Sequence, residues 1–593
     1  MTEKQIVRRI FEDNTALPDS LHPVLRRIYA ARRVANAGEL ENLLARLPPA
    51  SRLTGIDAAC DLLYTALRDS KRILIVADFD ADGATSCAVA VRALRLLGAG
   101  DVRFVVPNRF EFGYGLTPEI VAVAAEHQPE LLVTVDNGIS SIDGVAAAKA
   151  RGMQVLITDH HLPGATLPRA DAIVNPNQPG DSFPSKSLAG VGVLFYVMLA
   201  LRARLRELDW FTRRGIAEPN LAQLLDLVAL GTVADVVPLD HVNRILVAQG
   251  LARIRSGACC AGIRALLEVA GRRYERIGAA DLGFAVGPRL NAAGRLDDMT
   301  LGIECLLTDD DARARDIARQ LDHLNRERRG IENEMQEQAL ALLESGVASI
   351  EGRVARAEER PDLTPATQLS LLPYSLCLFD ESWHQGVIGI LASRIKDRYH
   401  RPVIAFAPAN AQEIKGSARS IPGVHIRDAL DSVAAHHPGL LSKFGGHAMA
   451  AGLTLKREHF EAFRQAFDDE IRALLGNQPP QATILSDGEL PACDLGLELA
   501  ETLRNAGPWG QGFPEPVFDG RFEIVNQRIV GEKHLKMVLK IPGSTALLDA
   551  IAFNRGQGAG EVGPQVHMAY KLDVNEYQGR RSVQLIVEHI AEM

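Results

Sequence analysis

The stretch VADFDADGATS, residues 76–86, sets three aspartates two positions apart, Asp78, Asp80 and Asp82, with Gly83 directly behind them. Like charges at that spacing repel, so the chain must either solvate them or neutralise them. A solvated acidic turn is the default for a charge cluster, and a bound cation is the alternative. The flanks favour the cation. RILIVA, residues 72–77, is a short apolar, β-branched run that reads as a buried strand. ATSCAVAVRALRLLG, residues 84–98, has small residues, then spaced apolar ones and a glycine stop, and reads as a helix. The acids therefore occupy a strand-to-helix loop. D-x-D-x-D-G also opens an EF-hand calcium loop, but that loop needs a preceding helix and a glutamate at its twelfth position. Here a strand precedes, and the twelfth position is Val89.

Further acids stand at the ends of strand-like runs. LLVTVD, residues 131–136, ends in Asp136, and LITDHHLPG, residues 156–164, carries Asp159, His160 and His161 where its strand stops. Asp235 interrupts the apolar stretch LVALGTVADVVPL, residues 227–239, where a buried carboxylate is costly unless paired or on a metal. Taken singly, a strand-end aspartate is most often a helix cap and a histidine most often structural. Together they converge, because open α/β sheets bind ligands at the carboxyl ends of their strands. Carboxylates and imidazole without thiolate suit Mn²⁺ or Mg²⁺ better than structural Zn²⁺. Several carboxylates suggest two metals, roughly 3.5–4 Å apart, with one ligand bridging, an arrangement that suits phosphoryl hydrolysis.

The elements that must position these residues fit a multidomain chain. Its 593 residues predict several domains, and a hydrophobic content of 47% is ordinary for a globular protein. A net charge of −9 does not by itself suggest a nucleic-acid binder, although acids gathered at a metal site count against the total. Cys60, Cys87, Cys259, Cys260, Cys305, Cys377 and Cys493 form no C-x-x-C pair. Zinc and a disulfide framework are therefore disfavoured, and a reducing cytoplasm fits. The start, MTEKQIVRRIFEDN, lacks the apolar core of a signal peptide. LAGVGVLFYVMLAL, residues 188–201, is the longest apolar run. It is shorter than the ~20 residues that span a bilayer and reads as a buried helix.

Residues 1–70 read as a helical N-terminal region. Over 71–305, strands at 72–78, 102–107, 131–136, 154–159 and 171–176 alternate with helices, which predicts an α/β, doubly wound parallel sheet. A charged, proline-free run over 306–345 predicts a connector helix opened by acids. Residues 346–372 are polar and proline-bearing and read as an insertion or loop. A second α/β region covers 373–476, NQPPQ at 477–481 is a linker, and 481–593 is rich in short strand-like runs that suggest a small β-barrel or sandwich.

The ordered set DFDADG, VDNG, DHH and TVADVVPL resembles the DHH phosphoesterase superfamily. SWHQGVIGILASR (382–394), KGSARS (415–420) and KFGGHAMAAG (443–452) resemble its associated DHHA1 domain. NRFEFGYGL (108–116), GPRLNAAGRLDD (287–298), GPWGQGFPEPVF (507–518) and HLKMVLK (534–540) are similar to motifs of the RecJ branch, the last two to its OB-fold part. The resemblance runs from about residue 72 to the C-terminus, except near 345–372. Ala77 and Ala189 depart from the pattern, where Gly and Cys are expected.

The resemblance implies a DHH catalytic lobe, the connector helix, a DHHA1 lobe and an OB-like barrel that extends a strand-binding groove. It also implies a 5′→3′ exonuclease that degrades single-stranded DNA to 5′-mononucleotides in repair and recombination. The metal ligands would be Asp78, Asp80, Asp82, Asp136, His160 and Asp235, holding two divalent ions, Mn²⁺ before Mg²⁺, with Asp136 bridging. His161 would sit beside the scissile phosphate as stabiliser or acid, or else orient a ligand. Arg109, Ser417 and Arg419, with Arg289 or Arg295, would hold the 5′-phosphate, since the guanidinium fork binds phosphate oxygens bidentately. For Arg289 and Arg295 the alternative is an ion pair between lobes. Tyr114 would stack on a base, or anchor its loop. His447 would contact phosphate or pack between lobes, and Trp383 and His384 read as lobe packing. A cytoplasmic monomer is expected, with single-strand-binding protein and a RecQ-type helicase as partners. Relatives acting on short RNA, cyclic dinucleotides or pyrophosphate lack the barrel. Non-catalytic replication-factor relatives have degraded acids, and this chain has them all.

Overall fold

The computed structural model describes residues 4–12, 16–108, 115–357, 372–531, 533–543, 545–555, 563–577 and 579–592, with side chains masked over 346–357 and at 577 and 592. Arg109 and Tyr114 lie outside the described residues.

The first strand, β1 (Gln5–Arg8), was not foreseen in a region read as helical. It pairs in parallel with a strand nearly the whole chain away, β12 (Thr483–Ser486). No local pattern announces a four-residue strand whose partner is so distant. The rest of the N-terminal region is helical, with helices Pro23–Ala31 and Ile56–Arg68.

The catalytic-lobe sheet holds β2 (Ile73–Ala77), β3 (Val102–Val105), β4 (Leu131–Val135), β5 (Gln154–Thr158) and β6 (Ala172–Val174). All neighbours are parallel, in the order β3-β2-β4-β5-β6. Both faces are covered, so the strands are apolar throughout. Ile73, Ile75 and Ala77 face one core with helices Ile56–Arg68, Ala81–Leu96 and Gly190–Glu207. Leu74 and Val76 face the other core, with helices Pro118–Glu126 and Ile142–Ala150. The apolar run near residue 190 is the buried helix expected. The strand order reverses between β2 and β4. That crevice is the topological switch point, where this architecture binds ligands.

The connector helix runs Asp311–Ala357. It starts later than residue 306, because helix Thr300–Leu307 and an Asp310 cap precede it. It also continues past residue 345 into the segment whose composition reads as a loop. Polar composition is compatible with a solvated helix as well as a loop, and local composition does not separate the two. Its buried stripe includes Ile317, Leu321, Met335 and Ala339, with a buried network at its centre. There Glu332 accepts from both Arg328 (2.7 Å) and Arg394 (2.9 Å) of the second lobe.

That lobe carries β7 (Leu376–Phe379), β8 (Val403–Pro408), β9 (Glu413–Arg419), β10 (Lys443–Gly446) and β11 (Ala450–Lys456), in the order β10-β11-β9-β8-β7. Only β7–β8 is parallel. Trp383 packs against the connector and donates to Gln338 Oε1 (2.8 Å). The C-terminal strands β13 (Phe518–Val530), β14 (His534–Lys540), β15 (Leu547–Ala552), β16 (Gln565–Tyr577) and β17 (Arg580–Glu592) close a barrel in the order β13-β14-β15-β17-β16. Among the described residues no helix is long and apolar enough to cross a membrane.

The N-terminal region clasps the barrel domain. Buried Arg32 makes a fork to Asp487 (2.7 and 3.0 Å) and donates to Pro514 O (2.8 Å). Tyr29 stacks near Trp509 and Phe513, each at 6.3 Å. Asp487→Ala should strand a buried guanidinium, which typically costs about 3–5 kcal/mol. The expected result is a lower first thermal transition and faster proteolysis near residues 477–481. An unchanged melting profile would show that the clasp does not hold the barrel.

Candidate active site

Three strand ends lie side by side, because the ladder continues through them. Asp78 N donates to Val135 O (3.3 Å), Asp136 N to Thr158 O (3.0 Å) and Asp159 N to Val174 O (3.1 Å). The three acids thus leave the sheet at one level, across the switch point. Each is then turned by its own loop. Asp80 caps the Ala81–Leu96 helix, accepting from Asp82 N (2.9 Å) and Gly83 N (3.1 Å). It fills the capping role usual for a strand-end acid and a place in the cluster as well. Asp82 accepts from Gly190 N (2.7 Å) and Val191 N (3.0 Å) at the start of the Gly190–Glu207 helix. The positive helix end steadies its charge there. Asp136 is 2% exposed and has φ +61, a left-handed conformation that aspartate tolerates better than most residues. Asn137 fixes this turn by donating to Val76 O (3.1 Å) and Val135 O (2.9 Å).

Ligand-type atoms gather in three groups, each with its atoms within 4.8 Å of one another: Asp78–Asp80–Asp136, Asp82–His160–Asp235 and Asp136–His160–His161. Asp136 joins the first group to the third. His160 Nε2 lies 3.1 Å from Asp136, 3.5 Å from Asp235 and 4.0 Å from Asp82. His160 Nε2 and Asp235 Oδ2 are buried and make no hydrogen bond among the described residues. Buried polar atoms facing one another without partners fit a divalent cation between them. Burial, then neighbouring acids, push Asp136 well above the usual carboxylate range. Burial and Asp235 raise Asp82 to about 7, and burial and Asp80 do the same to Asp235.

The two histidines are tuned apart. Burial, then the neighbouring His161 charge, lowers His160, which favours the neutral imidazole that binding a metal requires. Burial also opposes charge on His161, but the hydrogen bond and charge of Asp159 outweigh it and raise His161 to about 9. Asp159 Oδ1 sits 2.7 Å from His161 Nδ1 and also accepts from the backbone of His160 and His161, while Oδ2 accepts from Ile139 N (2.9 Å). Asp159 has no assigned role in the sequence pattern. Its position beside two histidines was the available signal. Gly190 was also missed as a site residue: a Cβ there would sit 2.6 Å from Asp136 Oδ1.

The second lobe faces this cluster. The rings of His161 and His447 stack at 6.3 Å and 23°. His447 N donates to Ala450 O (2.8 Å), and Ala450 pairs with Arg419 across β9–β11. Arg419 Nη1 donates to Ser417 Oγ (3.1 Å) and Ala418 O (2.8 Å), and it has no acidic partner among the described residues. A Cβ on Gly389 would lie 2.9 Å from both Arg419 Nη2 and Ser417 Oγ, so glycine leaves this pocket its room. Arg295 reaches the second lobe by donating to Gly386 O (3.1 Å). Arg289 is committed elsewhere, to Asp322 of the connector (2.9 Å) and Ala285 O (2.6 Å). That ion pair joins the catalytic lobe to the connector helix rather than to the second lobe.

A parallel sheet with acids and histidines at its switch point defines the DHH class. The DHH family, N-terminal domain, matches residues 72–232, the DHHA1 domain 371–473 and the RecJ OB domain 486–589. The single-stranded-DNA-specific exonuclease RecJ of Dickeya dadantii is 56% identical over 586 residues, covering 98% of each chain. That of Escherichia coli is 52% identical over 592 residues, covering 99% of each. The crystal structure of RecJ in complex with Mn²⁺ from Thermus thermophilus has a TM-score of 0.76 at 31% identity, covering 97% of this chain and 76% of that one. A Mg²⁺ complex of the same protein has a TM-score of 0.71 at 29% identity, covering 97% and 75%. The chain belongs to the RecJ family of single-stranded-DNA-specific exonucleases.

The raised carboxyls imply a pH signature. In the folded, metal-free protein Asp82, Asp136 and Asp235 keep protons that the unfolded chain releases near pH 4. Stability should therefore fall as pH rises from about 4 through about 7. A divalent cation replaces those protons, so added Mn²⁺ should raise the melting temperature more at about pH 8 than at about pH 5. Thermal unfolding of chelator-treated protein checks this, and equal Mn²⁺ shifts at both values would refute it.

Proposed function

We propose that this chain binds the 5′ end of single-stranded DNA and hydrolyses the terminal phosphodiester, releasing 5′-mononucleotides in the 5′→3′ direction during repair and recombination. The observation that carries the reading is Asp136, shared by two ligand groups at the switch point, with His447 of the second lobe stacked on the neighbouring His161. Asp78, Asp80 and Asp136 would hold one divalent ion, and Asp82, His160 and Asp235 would complete the set for a second. When bound, such ions lower the pKa of a water and neutralise charge developing on the phosphodiester. The residues do the rest. Asp159 holds His161 as an imidazolium, whose Nε2–H would serve the scissile phosphate as hydrogen-bond donor or the leaving oxygen as acid. Gly190 and Val191 amides keep Asp82 aimed. Arg419 and Ser417 grip the 5′-phosphate: burial lowers the Arg419 pKa, a cost that an incoming anion offsets. Arg295, where the lobes meet, supports that grip, and His447 closes on the phosphate beside His161. The barrel extends the strand's track. Mn²⁺ is the preferred ion, with Mg²⁺ a substitute. The enzyme acts as a cytoplasmic monomer, on strands that a RecQ-type helicase opens and single-strand-binding protein coats.

Asp136→Asn removes one charge and keeps a residue that tolerates left-handed backbone. It should lower kcat at least about 100-fold and raise the stability of the metal-free protein. Turnover near wild type on 3′-labelled single strands would remove Asp136 from the metal site. Arg419→Ala should cost about 10- to 100-fold in kcat/KM on 5′-phosphorylated ends and much less on 5′-hydroxyl ends. Equal loss on both ends would exclude a phosphate role.

A further inference from the structure

The face of the second-lobe sheet that carries Arg419 and Ser417 continues past them. Side chains two apart on a strand share a face, so Lys415 stands on it beyond Ser417 on β9. The register carries this row across the neighbouring strands: Lys415 pairs with Thr454 of β11, and Thr454 with Lys443 of β10. One step nearer to Arg419, Ser417 pairs with Gly452 and Gly452 with Gly445. The opposite face, with Ile414, Ala418, Leu453 and Leu455, is buried under helices Ile426–His436 and Phe460–Leu474. On the first face the helix Ile388–Tyr399 covers β7 and β8 and meets the pocket at Gly389. The β10–β11 half is open. Lys415, Lys443, Gly445 and Gly452 are exposed, and a Cβ on either glycine would meet nothing within 4 Å.

The order of these groups gives the open half a direction. His447, in the β10–β11 turn, meets His161 of the metal site. Ala450 and Arg419 come next, then Gly452 and Ser417, then Thr454 with the two lysines. The lysine row thus lies about 7 Å beyond Ser417, on the side away from the acids. Lys415 and Lys443 form no ion pair among the described residues. Lys149, Lys186, Lys396, Lys536 and Lys571, by contrast, each hold an acid at 3.3 Å or closer. In a chain of net charge −9, two unpaired lysines flanking one threonine break the pattern. Lysines on edge strands guard against strand addition. That accounts for Lys443 on the edge strand β10 but not for Lys415, because β9 lies between β11 and β8. Paired glycines inside strands weaken a sheet and mark places where a ligand or another backbone comes close.

We propose that this strip binds the extra phosphates of a strand whose 5′ end is a di- or triphosphate, with Lys415 and Lys443 as their counter-charges and the Gly445–Gly452 floor as their path out of the Ser417–Arg419 pocket. The proposal rests on the reading of that pocket as the 5′-phosphate site and adds a class of strand end. Lysine suits a flexible phosphoanhydride chain, since it is a compact charge on a flexible stem. The chemistry at the metal site is unchanged. Water attacks the phosphorus that joins the first nucleotide to the second, the P–O3′ bond breaks, and O3′ takes a proton. From a triphosphate end the products are a nucleoside 5′-triphosphate and a strand that now ends in a 5′-monophosphate. No phosphoanhydride bond is cut, and every later turn releases a mononucleotide.

The test uses the full chain with Mn²⁺ and single-stranded DNA that ends in a 5′-monophosphate or a synthetic 5′-triphosphate. Wild type should cut both at comparable kcat/KM, and chromatography should find the first nucleotide of the triphosphate strand as a nucleoside triphosphate. Lys415→Ala combined with Lys443→Ala should lower kcat/KM on the triphosphate end about tenfold or more. The same variant should keep the wild-type rate on the monophosphate end, which also shows that it folds. Lys415→Arg combined with Lys443→Arg should restore the triphosphate rate. The proposal is overturned if wild type cuts the monophosphate strand and leaves the triphosphate strand intact. An equal loss by the alanine variant on both ends overturns it too, as does release of pyrophosphate in place of the nucleoside triphosphate. These results leave the exonuclease reading standing, whereas failure to cut either strand strikes both.

Discussion

Mutual repulsion among buried carboxylates is the constraint around which this molecule is arranged. Asp78, Asp82 and Asp136 are nearly inaccessible, and Asp80, Asp235 and two histidines crowd them. Water cannot screen these charges, so the backbone does part of the work. The start of one helix donates two amides to Asp82, the start of another is capped by Asp80, and a ladder hydrogen bond fixes the base of Asp136. These devices hold the acids in place without neutralising them. What remains is a concentration of negative charge that only protons or cations satisfy, which is why protonation and metal binding compete here.

The remainder of the chain supplies what this lobe lacks. A sheet with its ligand crevice at the carboxyl ends leaves that crevice open on one side. The second lobe covers it with His447 and with a cation pocket whose charge has been kept free of acids. A long helix alone would not hold that distance, because a solvated helix is only marginally stable. The Arg328–Glu332–Arg394 network and the Trp383–Gln338 hydrogen bond fix the helix to the lobe it carries. The Arg32–Asp487 fork performs the same service for the barrel domain, from the opposite end of the chain.

Most of the catalytic lobe was legible because its signals are local. The strands are short apolar runs, three of them stopping at an acid, and the alternation with helices leaves one sheet type. The five barrel strands were legible in the same way, as spaced runs at 521–531, 534–541, 547–554, 566–577 and 580–590. Non-local facts were hidden. The pairing of β1 with β12 depends on two short segments meeting after everything between them has folded. Arg289 reads as a phosphate ligand or an ion pair from its motif, and its contact with Asp322 depends on a helix far along the chain that the motif does not show. Asp159 stood in plain view, but its effect on His161 depends on a side-chain direction that residue type does not give. The connector's extension to Ala357 was masked by a polar composition that suits helix and loop equally.

Charge pairing sets two surfaces of this structure apart. Arg419 is partly buried, its pKa is lowered by desolvation, and it meets no acid among the described residues. Lys571 and Arg504, at the barrel wall, are bound by acids of their own and gain little from another anion. The left-handed Val236 lies at the joint between the two regions, one residue from Asp235. Its strain persists because the backbone is fixed on either side, at Asp235 N by Gly231 O (2.9 Å) and three residues further on at Leu239 N by Gln511 O of the barrel-side loop (2.7 Å). The barrel-side loop thereby also braces the turn that carries Asp235, so that the seat of the barrel domain and the geometry of the acids share one short piece of backbone.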